Sequence, residues 1–283
     1  VSAINPRAIL GVATAFGLEG PYSNRVGFDG IAQAMSGAAY FAGTEEQPVR
    51  AAVPWVDFGT ASLLALGIVS ALHAREKTGK GQLVEGALLR TAMTFFSPTL
   101  IEEAGLNLYR KPSLNRSQTA GPSDIFKTKD GWITVAVNGD PLFRRVAKLI
   151  GATEWIEDKR FASDKLRGDN GEIMSARVQE WCAARTSDEA IKAFEGARVP
   201  AGPVYTMREA LDDPHLKASD ILTTVDFPGI GKAPIAATPV KLHGTPGTVR
   251  RRAPTLGEHS DEILSELGYS KADIADMRKL GVV

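Results

Sequence analysis

The sequence contains little cysteine, and its few histidines lie far apart. Its single cysteine, Cys182, leaves no partner for an internal disulfide and fits a reducing compartment. The histidines form no HxxxH pair, and no CxxC pair exists; they are His73, His215, His243 and His259. No metal site is therefore predicted.

The chain also lacks net charge and the usual phosphate-binding signatures. Lysine plus arginine and aspartate plus glutamate each number 33. No overall field therefore favours nucleic acid or an acidic membrane surface as a partner. No Walker-type loop and no GxGxxG motif follows a predicted strand, and the glycines of GLEG and GIG are predicted to lie in turns.

The longest apolar stretch, residues 53–74, is interrupted before it reaches the roughly 20 residues that cross a bilayer. Five polar residues interrupt it: Asp57, Thr60, Ser62, Ser70 and His73. The first residues, VSAINPR, lack a basic region followed by a small-residue cleavage site. From these absences we expect a cytoplasmic protein that does not enter a membrane.

The most informative segment that is present covers residues 53–92. Its pattern predicts a helix over residues 55–74 that is apolar on nearly every side, and such a helix is expected in a protein core. Pro54 suits the start of a helix, and Gly79 and Gly81 suit its end.

One carboxylate, Asp57, is out of place in the opening turn of this helix. Its neighbours Trp55, Val56 and Phe58 are apolar, whereas free backbone N–H groups and the helix dipole would keep it ionised. Asp57 is either an acid that complements the dipole or a carboxylate nucleophile, with Gly59 allowing a substrate close approach. Position alone leaves both interpretations open.

The remaining pattern predicts an α/β large domain followed by a small α+β domain. We expect the large domain over residues 1–104, with a buried parallel strand within residues 8–16. Residues 105–123 are polar and contain Pro and Gly, which predicts a linker. The small domain spans residues 124–225 and opens with a hairpin, and residues 226–283 form a C-terminal segment.

Several sequence blocks occur in an order that resembles the family III CoA-transferases of the CaiB/BaiF type, a group that includes formyl-CoA transferase. The blocks are INPRAILGVATAFGLEGPYSNR, GFDGIAQAMSG, ALHAREKTGKGQ, DGWITVAV, VPAGPVYT, DDPHL and RAPTLGEHSDEILSELG. Together they cover essentially the whole chain.

The resemblance implies a fold with a Rossmann-like large domain and a small α+β domain, in which residues 226–283 return to the large domain. Members carry roughly a further hundred residues ahead of the NPR block, a length ordinary for part of a large domain. We therefore expect that the first half of the large domain is absent from this chain. The chain is then a fragment, a truncated relative, or one partner of a chain that supplies the missing half.

The resemblance also implies the site residues. Asp57 matches the family nucleophile, and Phe28 and Asp29 match residues that line the acyl pocket. Gly59 is a candidate substrate-binding residue by its position two residues after Asp57. Arg25 lies where the family has a basic residue close to the CoA phosphates, although a solvated loop arginine is an equal alternative. Related racemases have a histidine at the position of Phe28, and phenylalanine cannot accept a proton.

The implied function is transfer of coenzyme A from an acyl-CoA donor to a carboxylic acid, through an aspartyl anhydride and an aspartyl-CoA thioester. Coenzyme A is then a co-substrate, with no permanently bound cofactor. The expected partners are acyl-CoA, a small carboxylic acid, and a second copy in an interlocked homodimer or a companion chain. An acyl-CoA racemase or epimerase and an inactive or partner subunit stay as alternatives. Backbone amides near Gly59 are expected oxyanion donors.

Overall fold

The computed structural model describes residues 1–283 as a mixed α/β protein. The predicted α/β class is therefore confirmed. The chain divides into two compact units, Val1–Val204 and Tyr205–Val283. This division lies ahead of the domain boundary expected after residue 225, and the predicted domain limits stay predictions.

Seven strands form three small sheets. In the first unit β1 (Leu10–Thr14) pairs in parallel with β2 (Leu83–Ala87), and an antiparallel sheet has the order β3 (Asp124–Lys127), β4 (Trp132–Val135), β5 (Ala201–Pro203). In the second unit β6 (Leu222–Phe227) and β7 (Gly231–Ala236) form a hairpin. The predicted parallel strand and the predicted hairpin are both present.

Thirteen α-helices accompany these strands. Those of the first unit are α1 (Asp29–Met35), α2 (Ala38–Phe41), α3 (Trp55–Thr78), α4 (Leu88–Phe95), α5 (Ser97–Leu106), α6 (Asp140–Leu149), α7 (Asp164–Asp169), α8 (Gly171–Ala183) and α9 (Ser187–Gly196). Those of the second unit are α10 (Met207–Asp212), α11 (Pro214–Ala218), α12 (Ser260–Glu266) and α13 (Lys271–Lys279). Pro98 lies in the first turn of α5, where its missing N–H costs nothing.

The end of α3 is held by the segment that leads into β1. Gly79 has a positive φ of 71° and terminates the helix. Arg7 donates to the carbonyl of Gly79 at 3.2 Å, and Arg75 donates back to the carbonyl of Arg7 at 3.0 Å. The Gly81 N–H donates to the carbonyl of Pro6 at 2.9 Å. Two sequence blocks that lie far apart in the chain, NPR and AREKTGKG, therefore meet in space.

The expectation that α3 lies in a core on all sides is wrong for this chain. Only Val56, Thr60 and Ala71 are buried along the helix, whereas Leu66 is 62% exposed and Val69 is 61% exposed. The reason is that the sheet packed against α3 has only two strands and covers one side of the helix. Strand β1, expected to be buried on both faces, has no fully buried residue for the same reason.

Helix α3 is also, by its length and composition, long and apolar enough to cross a membrane. It has 24 residues and a mean hydropathy of 1.6. The sequence-based statement that no run reaches the required length is therefore wrong by this measure. The core helix of a soluble protein meets the same criteria of length and composition.

The largest hydrophobic core lies between the antiparallel sheet and the helices around it. Its fully buried members include Phe126, Ile133, Val146, Phe161, Val178 and Phe194. A much smaller cluster, formed by Ala32, Val56 and Ala92, lies where α1, α3 and α4 meet. This smaller cluster lies beside the residues that the sequence identifies as the candidate site.

Candidate active site

The starts of α1 and α3 are joined by one buried carboxylate. Asp29, the first residue of α1, is only 5% exposed. Its Oδ2 accepts hydrogen bonds from the backbone N–H groups of Val56 at 2.8 Å and Asp57 at 3.2 Å. Two of the predicted site residues, Asp29 and Asp57, are therefore in direct contact.

Gln33 completes this buried network. It is 1% exposed, and its side-chain amide donates to Oδ1 of Asp29. Its Oε1 accepts from the Ala51 N–H at 2.8 Å, so Gln33 also holds the segment that leads into α3. The sequence analysis missed Gln33. The signal that could have found it is the Asp–Gln spacing of four residues, which places both side chains on one helix face.

All four amides of the first turn of α3 have partners. The Val56 and Asp57 amides bond to Asp29, as described above. The Trp55 N–H donates to the carbonyl of Val53 at 2.8 Å, and the Phe58 N–H donates to that of Pro54 at 3.2 Å. The expectation that free amides at this helix start hold the Asp57 carboxylate is therefore wrong, because Asp29 and nearby carbonyls accept from them.

The backbone amides near Gly59, expected as oxyanion donors, also have hydrogen-bond partners within the protein. Gly59 is the fifth residue of α3, so its N–H lies within the hydrogen-bonding range of the helix itself. No amide of the first turn is left to bind a developing negative charge. The backbone around Gly59 therefore offers no ready oxyanion site in this arrangement.

The Asp57 side chain is exposed and has neither a hydrogen bond nor an ion pair with any protein group. Its apolar neighbours in sequence therefore do not shield this carboxylate from solvent in the chain as folded. Phe58 is 65% exposed and Phe28 is 80% exposed, so neither ring shields the Asp57 carboxylate from water. An accessible and uncommitted carboxylate can act as a nucleophile.

Phe28 lies directly before α1, at the same helix junction. Its carbonyl accepts from the Ile31 N–H at 3.0 Å, which starts the helix. The exposed ring therefore stands next in sequence to Asp29, which binds the backbone of Asp57. Hydrogen bonds thus join Asp29 to the backbone of Asp57, and Phe28 adjoins Asp29 in the chain; the roles of all three residues stay predictions.

Gly59 is explained by the packing of α3 on α4. A Cβ atom at this position would lie 2.9 Å from Cε2 of Phe95 and 3.3 Å from Cγ2 of Thr91. The next residue, Thr60, is buried and forms a 2.8 Å hydrogen bond with Thr91. The missing side chain of Gly59 lets the two helices approach, and the substrate-binding role assigned to it stays a prediction.

Arg25 lies in the loop that precedes α1. Its guanidinium carbon is 3.8 Å from the centre of the Tyr22 ring, a distance typical of a cation–π contact. No hydrogen bond or ion pair joins Arg25 to the other predicted site residues. The structure therefore leaves this guanidinium exposed on an aromatic support, and its role in CoA binding stays a prediction.

No group of three or more histidine, cysteine, aspartate or glutamate side chains converges in the structure. Cys182 is buried in the main core, and burial raises the pKa of its thiol to about 12. A thiol with so high a pKa is protonated near neutral pH and is a poor nucleophile. Cys182 is therefore not expected to act as a nucleophile.

Known proteins with similar sequences indicate the family of this chain. Residues 1–260 match CoA-transferase family III. The chain is 33% identical over 292 residues to the succinyl-CoA–L-malate CoA-transferase beta subunit of Chloroflexus aurantiacus, covering 100% of this chain and 71% of that protein. It is 31% identical over 306 residues to the formyl-CoA:oxalate CoA-transferase of Rhodopseudomonas palustris, covering 99% and 71%.

A solved structure agrees with these matches. A CaiB/BaiF family protein from Brucella suis is 29% identical and superposes with a TM-score of 0.74, covering 94% of this chain and 69% of that one. The resemblance seen in the sequence blocks is therefore confirmed by sequence and by fold. The chain belongs to CoA-transferase family III.

Proposed function

We propose that this chain carries the catalytic carboxylate of an acyl-CoA:carboxylate CoA-transferase, and that Asp57 is the nucleophile. The observation that supports this most directly is the contrast at the start of α3. The Asp57 backbone is bound by a buried carboxylate, while its own side chain is exposed and unbonded. A nucleophile needs this combination of fixed position and free reacting atoms.

The reaction proceeds by two exchanges at Asp57 and returns the carboxylate unchanged. An Asp57 oxygen attacks the thioester carbon of the donor and the C–S bond breaks. CoA leaves as a thiolate, and a mixed anhydride of Asp57 and the acyl group remains. The thiolate then attacks the Asp57 carbonyl and releases the donor acid, leaving an aspartyl-CoA thioester. The acceptor carboxylate reverses both steps, so no oxidant, reductant or net proton is needed.

We propose a short carboxylic acid as the acceptor and the CoA thioester of a different short acid as the donor. The relatives named above act on succinyl-CoA with malate and on formyl-CoA with oxalate. Coenzyme A is then the co-substrate, for which Arg25 is the candidate phosphate contact, and no bound cofactor is required. Phe28 and Gly59 are the candidate neighbours of the acyl group.

We further propose that the active protein is cytoplasmic and needs more than residues 1–283 of a single copy. The chain covers 71% of the length of both relatives, and one of them is named as a beta subunit. A companion segment, or a second copy in an interlocked homodimer, would complete a Rossmann-like large domain. It would also cover the exposed side of α3 and keep water from the anhydride.

The test of the proposed function is Asp57→Asn in the full-length protein. An amide cannot form the anhydride, so we expect transfer to fall at least about a thousandfold while the fold is kept. The matched control is Asp188→Asn, because Asp188 is also an exposed aspartate in the first turn of a helix, α9. After donor is added, hydroxylamine should react with the activated Asp57 carbonyl and leave a hydroxamate on this residue. We expect this product in wild type and in Asp188→Asn, and not in Asp57→Asn.

The same samples distinguish the racemase alternative. Because Phe28 cannot abstract a proton, we expect no deuterium to enter the α-carbon of a chiral 2-methylacyl-CoA. Deuterium exchange faster than acyl transfer, or full turnover by Asp57→Asn, would contradict the proposed function.

A further inference from the structure

Resting on the proposed role of Asp57, we propose that Asp29 is a positioning residue which, with Gln33, fixes the first turn of α3 for acyl transfer. The sequence resemblance assigned Asp29 to the acyl pocket. The structure instead turns its carboxylate toward the protein, where both oxygens have donors. Asp29 therefore acts on the reaction through the backbone of Asp57.

The way α3 starts makes this role necessary. The residue before the helix is Pro54, which has no side-chain cap for the first turn. A helix normally obtains its cap from a Ser, Thr, Asp or Asn at that position. Here the cap comes from a different helix, since Asp29 of α1 accepts from the second and third residues of α3.

The buried carboxyl group of Asp29 has only hydrogen-bond partners. No arginine or lysine pairs with it, and its three donors are the Val56 and Asp57 amides and the Gln33 side chain. A buried carboxylate is costly unless such bonds are made. The network is therefore strongly directional, and losing one acceptor leaves a buried donor without a partner.

The consequence reaches the reacting atoms because the Asp57 amide is itself one of the donors. The bond holds the Cα of Asp57, so the carboxylate swings only about its own side-chain torsions. Misplacing a reacting group by about 1 Å can lower a rate by roughly a hundredfold. Gln33 extends the restraint to Ala51, on the segment that leads into the helix.

The test uses hydrogen-bond polarity in the full-length protein. Asp29→Asn keeps one oxygen and replaces the other with an NH2 group, so a donor faces a donor at Gln33 or at Ala51. The double variant Asp29→Asn with Gln33→Glu restores every bond. In it, the introduced asparagine side chain would accept from both α3 amides and donate to the introduced glutamate, which would also accept from the Ala51 N–H.

We expect Asp29→Asn to lower kcat by about ten- to a hundredfold with KM changed less than about twofold, because the substrate contacts are kept. The double variant should recover kcat to within about threefold of wild type. Thr186→Ala is the control for general loss of stability, since Thr186 caps α9 by its side chain, and its kcat should equal that of wild type.

Four results would overturn the proposal: an unchanged kcat for Asp29→Asn, a rise in KM without a loss of kcat, no recovery in the double variant, or an equal loss of kcat in Thr186→Ala. If Asp29→Asn fails to fold, the kcat of the double variant decides alone. Asp57→Asn separates the two hypotheses: when it is inactive and Asp29→Asn is fully active, only the positioning role fails.

Discussion

Two aspartates at this site, Asp29 and Asp57, have opposite environments. Asp29 is buried with its oxygens occupied, whereas Asp57 is exposed with its oxygens free. The same type of side chain therefore serves a different purpose at each position. Where it accepts backbone N–H groups it fixes structure, and where it is unbonded it is available for chemistry.

Cys182 shows the effect of burial on a residue that could otherwise react. Because desolvation raises the pKa of its thiol to about 12, we expect it to resist alkylation in the folded protein at about pH 8.5 and to react once urea unfolds the chain. Mass spectrometry after iodoacetamide treatment measures this. Labelling of the native protein at the rate of a free thiol would contradict the prediction.

The same shift has a consequence for stability. The thiol pKa is higher in the folded state than in the unfolded one, so the unfolded state loses its proton first as the pH rises. The protonated Cys182 thiol therefore makes its full contribution to the free energy of unfolding below about pH 8.5. This contribution declines between that pH and about 12. Urea titrations of wild type and Cys182→Ala at about pH 8 and about pH 10 measure this effect. The difference in the free energy of unfolding between the two proteins should be smaller at the higher pH.

At the scale of elements, the junction of α3 and β1 depends on close backbone approach. A Cβ atom at Gly81 would lie 1.8 Å from the carbonyl oxygen of Ala8, and a backbone atom cannot move away as a side-chain tip can. We expect Gly81→Ala to destabilise the protein by about 1–3 kcal/mol through overpacking. The measurement is the free energy of unfolding in urea.

A second glycine supplies the control for that measurement. Gly105 lies in α5, and a Cβ atom placed on it would have no neighbouring atom within 4 Å. Alanine favours a helix over glycine by up to about 1 kcal/mol, so Gly105→Ala should be neutral or stabilising. If both substitutions changed the free energy of unfolding equally, the close approach of Gly81 to Ala8 would not be the cause of the loss of stability.

For the whole molecule, the exposed side of α3 is the dominant feature of the first unit. Phe58, Leu66 and Val69 are more than half exposed on it, and Leu63 and Leu72 are exposed to 43% and 39%. Soluble monomers rarely present such contiguous apolar surface. We expect residues 1–283 alone to self-associate and to bind CoA weakly.

Size-exclusion chromatography of this chain measures the association directly. Leu66→Glu should shift the protein toward the monomer, because a charge on the apolar surface opposes contact between copies. Leu256→Glu is the control, since Leu256 is fully exposed in the second unit. A monodisperse monomer of the unaltered chain that binds CoA at about micromolar affinity, near 8 kcal/mol, would contradict this expectation.

The sequence by itself determined the family, the location of helix α3 with the candidate nucleophile, and much of the local structure. Its motif blocks identified a family III CoA-transferase, and its apolar pattern and turn residues predicted α3, the parallel strand and the hairpin at residues 124–137. These features depend on neighbours in the chain, so periodicity and turn chemistry are sufficient to predict them.

Only the tertiary structure decided which groups surround those elements. The partners of Asp29 lie on another helix, Gly81 meets the segment that leads into β1, and the exposure of α3 depends on how many strands cover it. An apolar helix has the same sequence pattern whether a protein surface covers it or not. Burial and hydrogen bonding between residues distant in sequence follow from packing in space, and no local pattern contains them.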